Sequence, residues 1–240
     1  MRVASRPGPP GTPEPVLEPS DEEGRLPTPR MRGRFHQVAF FVAVPAGVTL
    51  IALAHTATAR TAAAVYAGSL AGLYGVSSAY HRLRWSGRVR AAMKRADHSM
   101  IYIVIAGTTT PVALLGLRSP WSFVLLGSVW AGAALGITLK VIRVDGFSIL
   151  TGTLYVALGW GVVVFAPQLL HRMNAVDLGL VFLGGLLYTG GAIVFLRKRP
   201  DPRPATFGYH EVWHSFVVAA SLCHYVAVLL LVLSARPVLG

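Results

Sequence analysis

Near the C-terminal end of the chain, His210-Glu211-Val212-Trp213-His214 spells H-E-x-x-H, with two imidazoles four residues apart. On a helix that spacing presents both rings on one face, and the chemistry such a pair suits is metal binding, above all zinc. Ser77 and His81 show the same four-residue spacing, and Asp97 follows sixteen residues after His81. A third imidazole from another helix would complete three protein donors and leave one position of a tetrahedral ion open for water, the pattern of catalytic zinc. His81 is the natural third donor. Asp97 could then accept a hydrogen bond from that water and help deprotonate it, with Ser77 one turn from His81 bonding the same water or a substrate oxygen.

A soluble zinc protease would need a third ligand close to the pair. His224 stands ten residues past His214, roughly 15 Å along a helix, and cannot share the ion. An intramembrane metalloprotease would use an Asp-Gly from another span, but Asp145-Gly146 sits in a short basic loop and precedes the His pair instead of following it. The remaining histidines carry a plainer reading. His36, His55, His98 and His171, taken singly, are expected to be amphipathic side chains at a membrane boundary. Asp97 also suits the N-cap of a helix, and Glu211 suits a helix N-terminus, where negative charge is favoured.

The elements that must position these residues follow from composition. Of 240 residues, 53% are hydrophobic and only 13% charged, about half the charged share of an ordinary soluble domain. The chain is expected to be an all-α membrane protein with spans at about 35–55, 60–81, 97–117, 121–140, 148–167, 177–196 and 210–235, each near the ~20 residues that cross a bilayer. Of 22 Lys and Arg, only Arg60, Arg118, Arg172 and Arg236 fall between spans on one side, and the other eighteen fall on the opposite side. The positive-inside rule therefore predicts a cytoplasmic N-terminus and an outside C-terminus. The net charge of +12 marks cytoplasmic helix ends, so no nucleic-acid partner is expected.

This topology brings His81, Asp97, His210 and His214 to the same leaflet, although it rests on Lys and Arg alone. Residues 1–34, rich in Pro, Gly and charge, are expected to form a disordered cytosolic tail, and residues 35–235 the seven-helix membrane domain. No apolar h-region follows the start, so the first span is expected to direct insertion. The single Cys223 excludes an intrachain disulfide and any C-x-x-C metal knuckle. Thr108, Thr109 and Thr110 before Pro111 are expected to satisfy helix carbonyls, and the Gly184-Gly185 and Gly190-Gly191 pairs to permit close helix packing.

Ser77-Ser78-Ala79-Tyr80-His81, Asp97-His98-Ser99, Ile105-Ala106-Gly107 leading to Thr110-Pro111, and Phe207-Gly208-Tyr209-His210-Glu211-Val212-Trp213-His214 together resemble the signatures of the bacterial hemolysin III family. That family is the bacterial branch of the progestin and adipoQ receptor family, itself related to alkaline ceramidases. The resemblance implies a seven-helix bundle in the cell membrane holding Zn2+ near its cytosolic face. Residue by residue, it makes His81, His210 and His214 the ligands, places Asp97 on the zinc-bound water and Ser77 beside it, and leaves Glu211 as base, supporting partner or interfacial carboxylate.

Three functions are compatible with these residues. One is a zinc-dependent hydrolase, amidase-like, with a membrane lipid as substrate. Another is a pore-forming or channel protein. The last is a regulator of membrane lipid composition or energetics with structural zinc. An open zinc position beside a carboxylate suits the first, and spans that are apolar away from one end disfavour a wide aqueous pore.

Overall fold

A computed structural model describes residues 29–145 and 148–235. Eight α-helices occupy them: α1 (Arg34–Ala52), α2 (Ala57–Arg82), α3 (Gly87–Gly116), α4 (Trp121–Ile142), α5 (Ser148–Trp160), α6 (Ala166–Leu170), α7 (Ala175–Arg197) and α8 (Tyr209–Ser234). A 3-10 segment, Gly161–Phe165, joins α5 to α6, so these two run as one interrupted rod. The interruption has a local cause, because Gly159 and Gly161 loosen the helix and Pro167 has no amide hydrogen for the preceding turn. No strand occurs among the described residues.

Six segments are long and apolar enough to cross a membrane: Arg34–Ala52, Gly87–Gly116, Trp121–Ile142, Leu150–Leu170, Ala175–Arg197 and Tyr209–Ser234. Large apolar side chains such as Phe41, Phe123, Ile142, Val164 and Leu196 face outward, a surface that suits acyl chains and would aggregate in water. The rod expected over 60–81 is present as the 26-residue α2, but Ala, Gly, Ser, Tyr and His make it less apolar than the six. Its position explains the composition. Helices α1 and α3 pack along α2 and α8 touches it, so ten of its residues, including Tyr66, Leu70, Tyr74 and Ser77, are buried against protein. Small residues at such a seam let helix backbones approach closely.

Helices α1 to α4 pack side by side in chain order, α5 rests lightly on α3 and α4, and α8 closes the bundle by lying along α7 and touching α1, α2 and α3. The main core joins Leu50 of α1, Ala63, Tyr66, Leu70 and Leu73 of α2, Val104 of α3, and Val217, Val228 and Val232 of α8. Hydroxyls of Thr109 and Thr110 bond back to the carbonyls of Ile105 and Ala106 on their own helix. The close α7 and α8 contact uses glycine as expected. A Cβ at Gly191 would lie 2.9 Å from the Phe216 side chain, and one at Gly184 would lie 2.4 Å from the His224 ring.

Boundaries differ from the sequence reading chiefly at α3, which begins ten residues before the expected position 97. The added turns carry Arg88, Arg90, Lys94 and Arg95, cations that a helix can present at a membrane surface without burying them. Most of the expected tail, residues 1–28, lies outside the described residues. Its last stretch is placed: the Arg30 and Met31 amides donate to the Ala205 and Thr206 carbonyls, both at 3.1 Å.

Candidate metal centre

The C-terminal end of α2, the first turns of α3 and α8, and the start of α1 meet at the end of the bundle that carries most of the Arg and Lys. His81 projects from the last turn of α2, and His210 and His214 from the first two turns of α8. One donor atom from each of the three lies within 4.8 Å of the others. Ring centroids are 4.9 Å apart for His81 and His210, 5.4 Å for His81 and His214, and 4.6 Å for His210 and His214. Three imidazoles on one tetrahedral ion, with metal–nitrogen bonds of about 2 Å, would set their ring centroids about 5 Å apart. The three rings therefore already stand at a spacing one ion can bridge.

Donor chemistry agrees with the spacing. His81 Nε2, His210 Nε2 and both ring nitrogens of His214 are buried without a hydrogen-bond partner in the protein. A buried nitrogen left unpaired costs about 1–3 kcal/mol, and a metal ion is the single partner that would satisfy three of them at once. All-imidazole donors suit zinc and its neighbours in the first transition row, and do not suit Ca2+ or Mg2+.

Asp97 stands beside this set without joining it. Its Oδ2 is 3.8 Å from His81 Nε2, beyond a hydrogen bond, and the Ser77 hydroxyl lies against its carboxylate. Ser77 is fully buried one turn from His81. The structure thus brings together all five residues that the sequence reading grouped.

Residues set aside by that reading are also placed. His224 turns its Nε2 to the Val181 carbonyl at 3.1 Å, away from the three rings. Asp145 is exposed and paired with Lys94 at 2.8 Å, so the Asp-Gly alternative has its carboxylate engaged elsewhere. That ammonium holds the Asp145 carboxyl below the usual carboxylate range. His98 engages the Lys94 carbonyl at 2.8 Å. His55 and His171 are exposed in loops at the opposite end.

Two features were not legible beforehand. Glu211 is 1% exposed and has both oxygens committed: Oε1 accepts from Arg32 Nε at 2.6 Å, and Oε2 accepts from the Gly208 amide at 2.8 Å. Of the roles left open for it, the supporting one fits, because it caps α8 and fastens the strap preceding α1. Gly33 makes that strap possible, with φ of 76°, and a Cβ there would fall 2.7 Å from the Cβ of His81. The second feature is His36. It is buried, not interfacial, with its ring stacked on His214 at 3.7 Å and 10° between planes. The available signal was the leaflet, since the topology that grouped the other residues places the start of the first span with them.

These features define a class: an all-helical, multi-pass membrane protein with a three-histidine centre able to hold a metal ion at its basic end. Comparison with known proteins narrows it. The model of the family described as "Haemolysin-III related" matches residues 25–225. Similar proteins include Hemolysin-3 of Bacillus cereus, 34% identical over 82% of this chain and 89% of that one. The Hemolysin-3 homolog of Bacillus subtilis is 32% identical over 81% and 89% of the two chains. Monocyte to macrophage differentiation factor of Homo sapiens is 28% identical over 68% of this chain and 67% of its own length. The chain belongs to the haemolysin-III related family and is a multi-pass protein of the bacterial cell membrane.

Proposed function

We propose that the protein is a zinc-dependent hydrolase that cleaves an acyl bond, most simply an amide, in a membrane lipid. The observation that supports this most is Asp97, a carboxylate within 3.8 Å of a donor imidazole yet outside the donor set. Hydrolysis needs a proton acceptor beside the ion, and a carboxylate in this place supplies one. Zinc, when bound, supplies a Lewis acid that polarises a carbonyl and brings the pKa of water toward neutrality. His81, His210 and His214 hold it. Asp97 takes the proton from the attacking water and passes it to the leaving amine, while Ser77 fixes the orientation of the Asp97 carboxylate.

The site lies at one end of helices whose outer faces are apolar, which favours a substrate that remains in the bilayer. The Bacillus relatives are named as haemolysins, and a pore is the competing reading. A pore needs a polar path through both leaflets, and the core joining α1, α2, α3 and α8 is lined by Leu50, Leu70, Val104 and Val228. Purified protein loaded with zinc and incubated with bacterial lipid extract should release free fatty acid, and chelation should stop the release. Full zinc occupancy with no lipid cleaved would rule the hydrolase out.

We further place α2 as a seventh span and the basic end in the cytosol, from the eighteen Lys and Arg that lie on that side. A tag after Gly240 should then be reachable from outside intact cells, and one before Met1 should not. A protected C-terminal tag would overturn this topology.

A further inference from the structure

His36 comes to the metal centre from α1, a helix that contributes none of the three donors. Its ring lies against His214 at 3.7 Å with 10° between planes, and the Tyr74 ring stands 5.1 Å from it. Neither of its ring nitrogens has a hydrogen-bond partner in the protein, and the residue is 2% exposed.

Sharing the ion does not explain it. Two imidazoles on one tetrahedral ion have centroids about 5 Å apart, and a separation as short as that of His36 and His214 would close the angle at the metal to about 70°. Packing does not explain it either. A phenylalanine would stack equally well, whereas an imidazole with two unpaired buried nitrogens costs about 1–3 kcal/mol for each. The ring is also held in place from its own side. Arg32, four residues earlier, is tied to Glu211, and Gly33 packs against His81, so α1 has little freedom to carry His36 away.

We propose that His36 is a positioning and binding residue of this centre. The stacked face fixes the plane of His214, and a ring nitrogen makes the second contact to an oxygen ligand, a carboxylate or carbonyl oxygen, that occupies the fourth position of an ion held by His81, His210 and His214. The ligand class is an acyl compound whose oxygen meets the metal on one side and an imidazole N–H on the other. This rests on the metal centre of the proposed function, and its test requires no turnover.

The test uses purified full-length protein loaded with Co2+ and titrated with acetohydroxamate, followed by the visible spectrum of the metal. His36→Phe keeps the stack and removes both nitrogens. It should retain one Co2+ per chain with the wild-type ligand-field bands, while acetohydroxamate affinity falls at least about tenfold. His36→Gln, which keeps a donor and an acceptor without the ring, should recover part of that loss. If the Phe variant does not fold, His36→Met, of similar bulk and without nitrogen, must show the same loss.

Wild-type affinity in the variant lacking both nitrogens would overturn the proposal, leaving His36 a packing residue or one satisfied by a fixed water. Loss of Co2+ from that variant would also overturn it, because His36 would then be a ligand. A wild-type chain that takes up no Co2+ would remove both this proposal and the hydrolase. Wild-type protein that binds Co2+ and acetohydroxamate through His36 but cleaves no lipid would sink the hydrolase alone.

Discussion

Asp97→Asn should leave zinc bound and reduce lipid cleavage by about 10²- to 10⁴-fold, the usual worth of a positioned general base. The substitution conserves volume and keeps one carbonyl oxygen, but it removes the negative charge and nearly all basicity. Since the carboxylate lies 3.8 Å from His81 Nε2 and outside the three-donor set, the metal loses no ligand. The checks are zinc content by mass spectrometry and fatty-acid release by the same preparation. Turnover of Asp97→Asn at the wild-type rate would exclude Asp97 as the base. A general base acts in the transition state and does not help hold the bound substrate, so the loss should sit in kcat and leave KM nearly unchanged.

The second large effect concerns the donors. His81→Ala and His214→Ala should each lower zinc affinity by more than about 100-fold, because residues that merely support metal ligands already cost 10- to 100-fold when removed. The three ring centroids lie 4.6 to 5.4 Å apart, so either variant leaves two imidazoles where one ion needs three, both on α8 in His81→Ala and one each on α2 and α8 in His214→Ala. His224→Ala is the control. Its ring faces the Val181 carbonyl, so zinc content should stay at the wild-type level even where stability falls. Equal zinc content in wild type and His81→Ala would refute the assignment.

Much of this centre was readable before any coordinates. The four-residue spacing of His210 and His214 is a helix property, and Lys and Arg alone were enough to bring His81 and Asp97 to the same end. Local chemistry of that kind survives in one sequence because it depends on residues within a turn or on the sign of a loop. His36 is different. Nothing within its own helix pairs with it, and its partner on α8 lies far along the chain, so no spacing announces the contact. Arg32 and Glu211 are hidden in the same way, being 179 residues apart. The start of α3 was obscured by Arg88, Arg90, Lys94 and Arg95, which resemble a surface loop when judged by hydropathy alone. The break after Trp160 needed Gly159, Gly161 and Pro167 to be weighed against a run of apolar residues that by itself predicts an unbroken span.

The tie between Arg32 and Glu211 also has a meaning in time. A ribosome makes the strap with Arg32 well before the residue that fastens it, which follows 179 residues later. Two of the three donors, the capping carboxylate and the loop that receives the Arg30 and Met31 amides all lie from Ala205 onward. A nascent chain halted before α8 offers one donor, an unlatched arginine and a His36 with nothing to stack on. An ion that needs all three donors would therefore be captured only once α8 has joined α2, and its occupancy would report that this helix is in place.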